Sequence, residues 1–372
     1  MDKVRIGIIG FGKMGSQHSK AFKDGKVPNA VLTCVADIDP KRIDAAKALL
    51  GDGVSYFDNA ESLIASGKCD AVIPTVPHYY HPVYAIEAFN HGLNYLCEKP
   101  AGVYTNQVKR MNEAAAASGK VFGIMYNQRT NPVYQKARDL VRSGEIGELQ
   151  RTNWIITNWF RSQSYYDQSS WRATWKGEGG GVLLNQNPHN LDLFQWICGM
   201  PSRVKAEMYY GKYRHLEVEE EVYALVEYPN GATGCYITTI ADSPGTNRFE
   251  ITGTKGKLVI ENDKIEFFRL RKDTVSFNEE YKGGIGQPEC WRCEIPVKGT
   301  YTSHPGLIKN FCDAILTGSP LLAPGEEGIL GLSISNAMHL SSWLGSKWID
   351  LPIDGDLYEA ELKKKCGGEL PA

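Results

Sequence analysis

Two residues in this chain are placed to do chemistry: a lysine at the end of an apolar strand and a histidine at the start of a helix. The strand Asn94-Tyr-Leu-Cys97 runs directly into Glu98-Lys99-Pro100. Open parallel sheets form their ligand crevice at the carboxyl ends of the strands, so a lysine there can hold a reacting hydroxyl. Pro100 removes a backbone donor and fixes the chain direction, which points Lys99 into that crevice. The histidine follows Gly179-Gly180-Gly181 and Asn185, in the run Asn187-Pro188-His189-Asn-Leu-Asp192. Asn187 is a suitable N-cap and Pro188 a suitable first helical residue, so His189 falls in the first turn. A helix N-terminus disfavours a cationic imidazole, and His189 is expected to stay neutral near pH 7. A neutral imidazole can take the proton of an alcohol. Asp192, three residues on and on the same helix face, is expected to orient the ring. The pair therefore points to oxidation of an alcohol, provided a hydride acceptor lies nearby.

The start of the chain supplies that acceptor's signature. Gly10-Phe11-Gly12-Lys13-Met14-Gly15 follows a strand and opens a helix. Glycine permits the tight turn and the close approach of a pyrophosphate, whose charge meets the helix N-terminus. Asp37 follows the second strand, where its carboxylate would accept from the adenosine ribose hydroxyls and repel a 2′-phosphate. NAD is therefore expected in preference to NADP, with Arg42 close enough to soften the preference. Pro74-Thr75-Val76-Pro77 follows the next strand and should lie along the same crevice. Thr75, Val76, Pro77, His81, Glu98 and Asn127 are the further candidates on the cofactor side. His78 and His81 stand three apart at a helix start but have no third ligand in view, so capping and packing are expected rather than a metal. The pair Cys290 and Cys293 likewise has only His304 within reach in sequence, and no metal site is expected.

The elements around these motifs change character along the chain. Through residue 128, short apolar runs alternate with amphipathic helices, as in a parallel sheet covered on both faces. The runs are Val4–Gly10, Ala30–Ala36, Cys69–Thr75, Asn94–Cys97 and Val121–Tyr126. Beyond a helix near residues 132–143 come strand-like segments from Leu149 to Leu270, with a hairpin turn at Pro229-Asn-Gly231. These predict an antiparallel sheet of about six strands, completed by helices over 188–198, 305–317 and 326–344. The expected fold is an α/β Rossmann domain, residues 1–128, followed by an α+β domain with a large open-faced antiparallel sheet, residues 129–372. The last residues, Leu362–Ala372, are polar and are expected to be loose.

The chain has 372 residues, enough for two domains, and a net charge of −2. No bulk field recruits nucleic acid or anionic lipid. No apolar run approaches the roughly 20 residues that a spanning helix needs. The N-terminus enters a strand at once and carries no secretory pattern. Cys34, Cys97 and Cys198 sit in apolar segments, as reduced thiols of a cytoplasmic protein would.

The glycine turn, the Glu98-Lys99-Pro100 tripeptide and the glycine-rich stretch before Asn185 and His189 resemble, in order and spacing, the Gfo/Idh/MocA oxidoreductases. The resemblance covers nearly the whole chain. It implies NAD(P) held between a Rossmann domain and an open-faced sheet, with Lys99 and His189 as the catalytic pair. It also implies a cofactor contact from Trp171 and Arg172. Many members carry aspartate where this chain has Asn185. Asparagine can orient a hydroxyl but cannot hold a proton, so proton work falls to Lys99, His189 or water. The run from Asn185 to Asp192 also resembles a subgroup that oxidises glucosides at the C3 hydroxyl. Trp154, Trp159, Tyr165, Tyr166, Trp171 and Trp175 with Asn158 and Arg161, in two stretches dense in aromatics and amides, form a candidate sugar site, half of it expected to be core or subunit contact. Tyr126-Asn127-Gln128-Arg129 joins the domains and is a further candidate for substrate or nicotinamide contact.

The resulting expectation is an NAD-dependent dehydrogenase acting on a secondary ring hydroxyl of a sugar or glycoside, with Asn185, Asp192, Asn158, Arg161 and Tyr126 on the substrate side. Redox-neutral glycoside cleavage, an inositol or other polyol dehydrogenase, and a non-catalytic sensor remain open alternatives. The open sheet predicts a homo-oligomer.

Overall fold

A computed structural model of the chain describes residues 2–371. The first sheet is built from β1 (Val4–Ile9), α1 (Lys13–Lys23), β2 (Ala30–Ala36), α2 (Pro40–Leu50), β3 (Ser55–Phe57), α3 (Ala60–Ala65), β4 (Ala71–Pro74), α4 (Tyr80–Asn90), β5 (Asn94–Cys97), α5 (Thr105–Ser118) and β6 (Phe122–Ile124). Its strand order is β3-β2-β1-β4-β5-β6, with parallel pairing throughout. The chain winds outward from β1 to β3, then returns to place β4 on the other side of β1. That reversal opens a crevice at the carboxyl ends of β1 and β4, where dinucleotides sit in such sheets. Local chemistry punctuates the helices. Asp39 accepts from the Lys41 amide ahead of α2, and Pro40 occupies its first turn. Gly119 closes α5 at φ 62°, a left-handed position that suits glycine.

After a 3-10 turn at Asn127–Thr130 the second sheet is assembled. Its elements are α6 (Pro132–Arg142), β7 (Leu149–Ile156), α7 (Gln163–Asp167), α8 (Val182–Asn185), α9 (Pro188–Cys198), β8 (Arg203–Tyr210), β9 (Glu219–Glu227), β10 (Thr233–Thr239), β11 (Asn247–Gly253), β12 (Gly256–Glu261), β13 (Lys264–Leu270), α10 (Thr274–Glu280), β14 (Cys290–Glu294), α11 (Ser303–Thr317), α12 (Gly328–Trp343), β15 (Ile349–Asp350) and α13 (Gly355–Lys365). The sheet has nine strands in the order β14-β13-β12-β11-β7-β10-β9-β8-β15, and only the β7–β10 pair is parallel. The expected six strands are too few. The two strands at the sheet's edges, β14 and β15, are a five-residue and a two-residue piece with little apolar alternation, so their pairing follows from the neighbour they meet. The hairpin at Pro229-Asn-Gly231 forms as expected, with Gly231 at φ 83° and the Tyr228 amide donating to Ala232 O at 2.8 Å.

Trp154 of β7 lies at the centre of the second core. It stacks on Phe249 with centroids 4.2 Å apart and packs against Phe194 of α9. The inward residues of β8, β9 and β10 pack under α9 and α12, while their outward residues stay open. The expectation of a loose tail is overturned at its start, Leu362–Lys365, which is helical, while most residues from Lys363 to Glu369 are exposed. Most of α13 precedes that segment and packs on α5 and α12, and Leu362 and Tyr358 are fully buried. Ala372 lies outside the described residues.

The later chain also returns to the first sheet. Ile124 N donates to Ala323 O at 3.0 Å, and the Asn29 side chain bonds Lys309 O and Asp313 of α11. Between the sheets, Arg129 is fully buried and grips Asp192 of α9 through two bonds of 2.6 and 2.9 Å, with Glu327 at 2.5 Å. Burial opposes the Arg129 charge, and the two carboxylates more than offset it. This accounts for Asp192, which does not orient the histidine as expected. Removing one partner of a buried pair leaves the other uncompensated, at a cost of about 3–5 kcal/mol. Arg129→Ala should lower the urea midpoint by the corresponding amount, and a shift equivalent to under about 1 kcal/mol would contradict this role.

Candidate active site

The glycine turn is shaped by contacts that leave no space for side chains. A Cβ on Gly10 would lie 2.7 Å from Thr75 O, and one on Gly15 would lie 2.1 Å from Gly10 O. Thr75 ties the turn to the end of β4 by donating from Oγ1 to Gly10 O at 2.6 Å. Gly12 differs, because a Cβ there meets only Arg42 at 3.7 Å and otherwise projects into open space. Gly12 also begins α1 without a side-chain cap. The first-turn amides of Lys13 and Met14 are therefore available to an anion. Asp37 is buried, accepting from Phe11 N at 2.6 Å and Asp39 N at 2.9 Å, with Arg42 at 3.6 Å. These residues fit a dinucleotide: an uncapped helix start beside a glycine with free approach, then a fixed carboxylate for the ribose.

Glu98 and Lys99 end β5 at the mouth of the crevice. The Glu98 carboxylate is buried against His18 of α1 at 2.6 Å. Burial alone would raise its pKa, but His18 with help from His304 and Lys99 holds it down to about 2. Lys99 extends toward the second domain and donates from Nζ to the backbone oxygen of Asn185 at 2.8 Å. Burial lowers the Lys99 pKa, Arg161 and Arg172 add to that, and Glu98 and Glu178 oppose it.

On the facing side, Glu219 of β9 is fully buried and accepts from Gly181 N at 2.8 Å and Leu183 N at 3.0 Å. His339 of α12 stands 2.9 Å from the same carboxylate. A Cβ on Gly181 would lie 2.0 Å from Glu219 O, so only glycine lets this segment pass so close to the strand. The segment leads through α8 to α9. Pro188 takes the first turn of α9, but Asn187 does not cap it and instead donates to Thr238 Oγ1 at 2.6 Å. His189 has its Nδ1 buried without a partner, and Tyr126 lies edge-on at 6.3 Å between centroids. Burial, Lys99 and His304 push its pKa well below 6.5, so the ring is neutral at pH 7. His189 lines a cavity of about 590 Å³ with Asn158, Trp159, Asn190, Asn247 and Tyr301.

The remaining candidates divide. Trp159, Tyr165 and Trp171 stay partly open, with Arg161 over Trp159 and Tyr165 and Arg172 over Tyr165 and Trp171. Trp154, Tyr166 and Trp175 are core. Val76 and Pro77 are half-buried beside the crevice. Tyr126 is fully buried and its hydroxyl faces Gly328 O at 3.4 Å, so it supports His189 from behind and does not face the cavity. His81 is also interior, held between Pro100 O at 2.7 Å and Val76 O at 3.0 Å, and does not face the cofactor crevice. Asn127 donates to Tyr301 and Ser303.

Two residues were missed. His304 comes from the start of α11, beyond Ser303 at φ 53°, and lies 5.5 Å from the His18 ring. Its sequence position gives no hint of the crevice. Glu178 is fully buried beside Asn185. A lone acid before three glycines was its only signal.

With this geometry in place, likeness to known proteins becomes informative. Residues 4–126 match the model of the oxidoreductase family with an NAD-binding Rossmann fold, and residues 134–259 match that of the GFO/IDH/MocA C-terminal domain. The chain belongs to the Gfo/Idh/MocA oxidoreductase family. A levoglucosan dehydrogenase of Pseudarthrobacter phenanthrenivorans is 24% identical over 95% of this chain and 99% of that protein. A myo-inositol 2-dehydrogenase of Thermotoga maritima is 24% identical over 90% of this chain and 95% of that protein. The structure of the WlbA dehydrogenase of Bordetella pertussis, solved with NADH and UDP-GlcNAcA, superposes with a TM-score of 0.80. It is 24% identical and covers 95% of this chain and all of that one, which establishes the shared fold. This Gfo/Idh/MocA member is thus an NAD-binding oxidoreductase.

Gly12→Ala separates ligand approach from folding in this oxidoreductase. The added methyl finds space in the protein alone, so the thermal midpoint should stay within a degree or so of the parent. It would stand where the pyrophosphate approaches, so NAD affinity by calorimetry should fall roughly tenfold or more. Unchanged affinity would remove the turn from the cofactor site.

Proposed function

We propose that this protein is a dehydrogenase that passes hydride between a secondary ring hydroxyl of a sugar, polyol or glycoside and NAD. The observation that carries the reading is a neutral His189 in the cavity wall, with the Lys99 ammonium, held by the Asn185 carbonyl behind it, near enough to help keep that ring uncharged. That cavity is lined by amides and aromatic rings, with Asp263 as its one acid and no lysine or arginine. Such a lining suits a neutral, hydroxyl-rich ligand, since ring faces stack on aromatics and amides pair with hydroxyls. Its volume lies within the range of small-molecule sites. The two relatives named as levoglucosan and myo-inositol dehydrogenases support the same substrate class. Within it, the C3 hydroxyl of a glucoside is our finer choice, resting on the Asn185–Asp192 run.

Each residue's role follows from its surroundings. NAD, when bound, supplies the hydride acceptor. Lys99 donates to the reacting oxygen and steadies the charge that grows there. His189 takes the hydroxyl proton, which its neutrality permits. Asn158 and Arg161 flank the substrate, with Trp171 and Arg172 at the rim. Holding donor carbon and acceptor in near-attack geometry supplies much of the rate. We assign residues 1–128 to cofactor binding and 129–372 to substrate binding and assembly.

The open face of the second sheet supports a homo-oligomer. Ile155, Ile237 and Tyr223 stand side by side across three strands, with Leu225 in the next row at 52% exposure. An apolar row of this kind on a sheet calls for cover. Among the described residues no helix is long and apolar enough to cross a membrane. Buried free thiols at Cys34, Cys69, Cys97 and Cys312 support a reducing cytoplasm.

Incubation with NAD and a panel of glucosides, inositols and free sugars, read by mass spectrometry, tests the reading. Loss of two hydrogens from an intact substrate is expected. Release of an aglycone with no net NADH would replace it with redox-neutral cleavage. Lys99→Ala should lower kcat by at least about a thousandfold while NAD still binds. Turnover within a few-fold of the parent would overturn the role of Lys99.

A further inference from the structure

The carboxyl group of Glu178 stands out among the buried ionisable groups because no cation pairs with it. It is fully buried, and among the described residues no lysine, arginine or histidine lies within ion-pair distance. Its two oxygens have separate, fixed partners. Oε2 accepts from Ala173 N at 2.9 Å, and Oε1 accepts from the Asn185 side-chain amide Nδ2. The Glu178 backbone is fixed as well, its N–H bonding Thr174 O at 2.9 Å and its carbonyl meeting His78 Nδ1 at 3.0 Å. Ala173 sits at φ 62°, a left-handed conformation that costs a non-glycine residue free energy and persists only where the surroundings demand it. Here the strained residue is the one whose amide meets the carboxylate.

These contacts end at the catalytic lysine. The same Asn185 whose amide meets Glu178 offers its backbone oxygen to Lys99 Nζ. With Nδ2 committed to Glu178, the Asn185 Oδ1 is the acceptor left for a hydroxyl. Building on the dehydrogenase reading above, we propose that Glu178 is a positioning residue: as carboxylate it orients the Asn185 amide so that Oδ1 faces the substrate hydroxyl, and it steadies the Lys99 ammonium. The protonated acid would instead donate from Oε1 to Oδ1 and turn the amide over, presenting a donor where the hydroxyl needs an acceptor.

The charged and titratable groups facing Glu178 come from several elements. Lys99 comes from the end of β5, Arg172 from the loop carrying Glu178, Glu219 from β9, the Tyr166 hydroxyl from α7 and the His78 ring from the turn after β4. Burial raises the Glu178 pKa to about 7, against the pull of Asn185, Ala173 and Arg172. The surrounding histidines His78, His81, His189 and His304 are all pushed below 6.5, chiefly by burial. Those rings are therefore already uncharged at neutrality; burial lowers Lys99 as well, so an acid limb near neutrality is assigned to Glu178 by its loss in Glu178→Gln. Its folded-state pKa is raised, so the active carboxylate form is present above about pH 7 and is lost below it.

Two measurements test this. Difference infrared spectroscopy of the NAD-bound enzyme, without substrate, should show a protonated-carboxyl band that titrates near neutrality and is absent in Glu178→Gln. Absence of such a band, or its survival in the variant, would overturn the proposal. The second measurement is kcat/KM for alcohol oxidation against pH. The Ala173 amide needs an acceptor, so the glutamine side chain of the Glu178→Gln variant would turn its own NH2 to Asn185 and hold that amide in the reversed orientation at every pH. Glu178→Gln should lose the neutral acid limb and fall roughly ten- to a hundredfold at its plateau, with NAD affinity unchanged. Glu178→Asp should keep a titrating limb, which a merely structural role would not require. An unaltered pH profile in Glu178→Gln would overturn the proposal. If the parent enzyme oxidises no member of the panel, the dehydrogenase reading fails, whereas the infrared band judges the ionisation of Glu178 without any substrate.

Discussion

The hydrogen bond from Lys99 Nζ to the Asn185 carbonyl is the contact on which the rest of the site depends. It joins the end of a parallel strand in one sheet to a short helix packed on the other. An ammonium in a half-buried crevice must have a partner, because its desolvation is costly. A backbone oxygen is a partner that leaves the charge unneutralised. Lys99 therefore remains a donor whose charge is felt by Glu98 and Glu178 on one side and by Arg161 and Arg172 on the other.

That contact requires the Asn185 backbone to be fixed, and a second buried carboxylate does this. Glu219 gathers the amides of Gly181 and Leu183, and the glycines allow the chain to lie against β9 without clash. The glycine-rich segment is thus a positioning device as much as a turn. It carries Glu178, Asn185 and His189 in one short stretch, so fixing it fixes all three. Arg129 and Asp192 extend the same principle, clamping the start of the second domain to α9. Three acids, Glu178, Asp192 and Glu219, are interior and have distinct tasks.

The two sheets divide mechanical roles. The first is covered on both faces and holds its glycine turn by direct backbone contact. The second covers one face with α9 and α12 and leaves the other as an apolar row. The chain then returns through α11 and α13 to the first sheet, so the crevice is bounded by residues from the start, middle and end of the sequence. His304 and Ser303 reach it only by that return.

The local grammar of this protein was legible in its sequence. A strand, a glycine turn and a helix in succession specify the dinucleotide end because glycine's steric freedom is a property of the residue itself. Lys99 at a strand end and His189 behind Pro188 were placed by short-range rules of the same kind. Local pattern did not show which polar groups would be buried and against what. Spacing alone assigns Asp192 to His189, three residues away, yet Arg129 holds it from another element. Asn187 had the chemistry of a cap, but Thr238 on a neighbouring strand claims its amide. Leu362 looked like part of a loose tail until α13 packed it against α5 and α12. Glu178 had almost no signal. Residue type and spacing determine elements, since those depend on neighbours in sequence. Burial, ion pairing and the protonation states they set were decided by the tertiary structure, because desolvation depends on everything that surrounds a group in space.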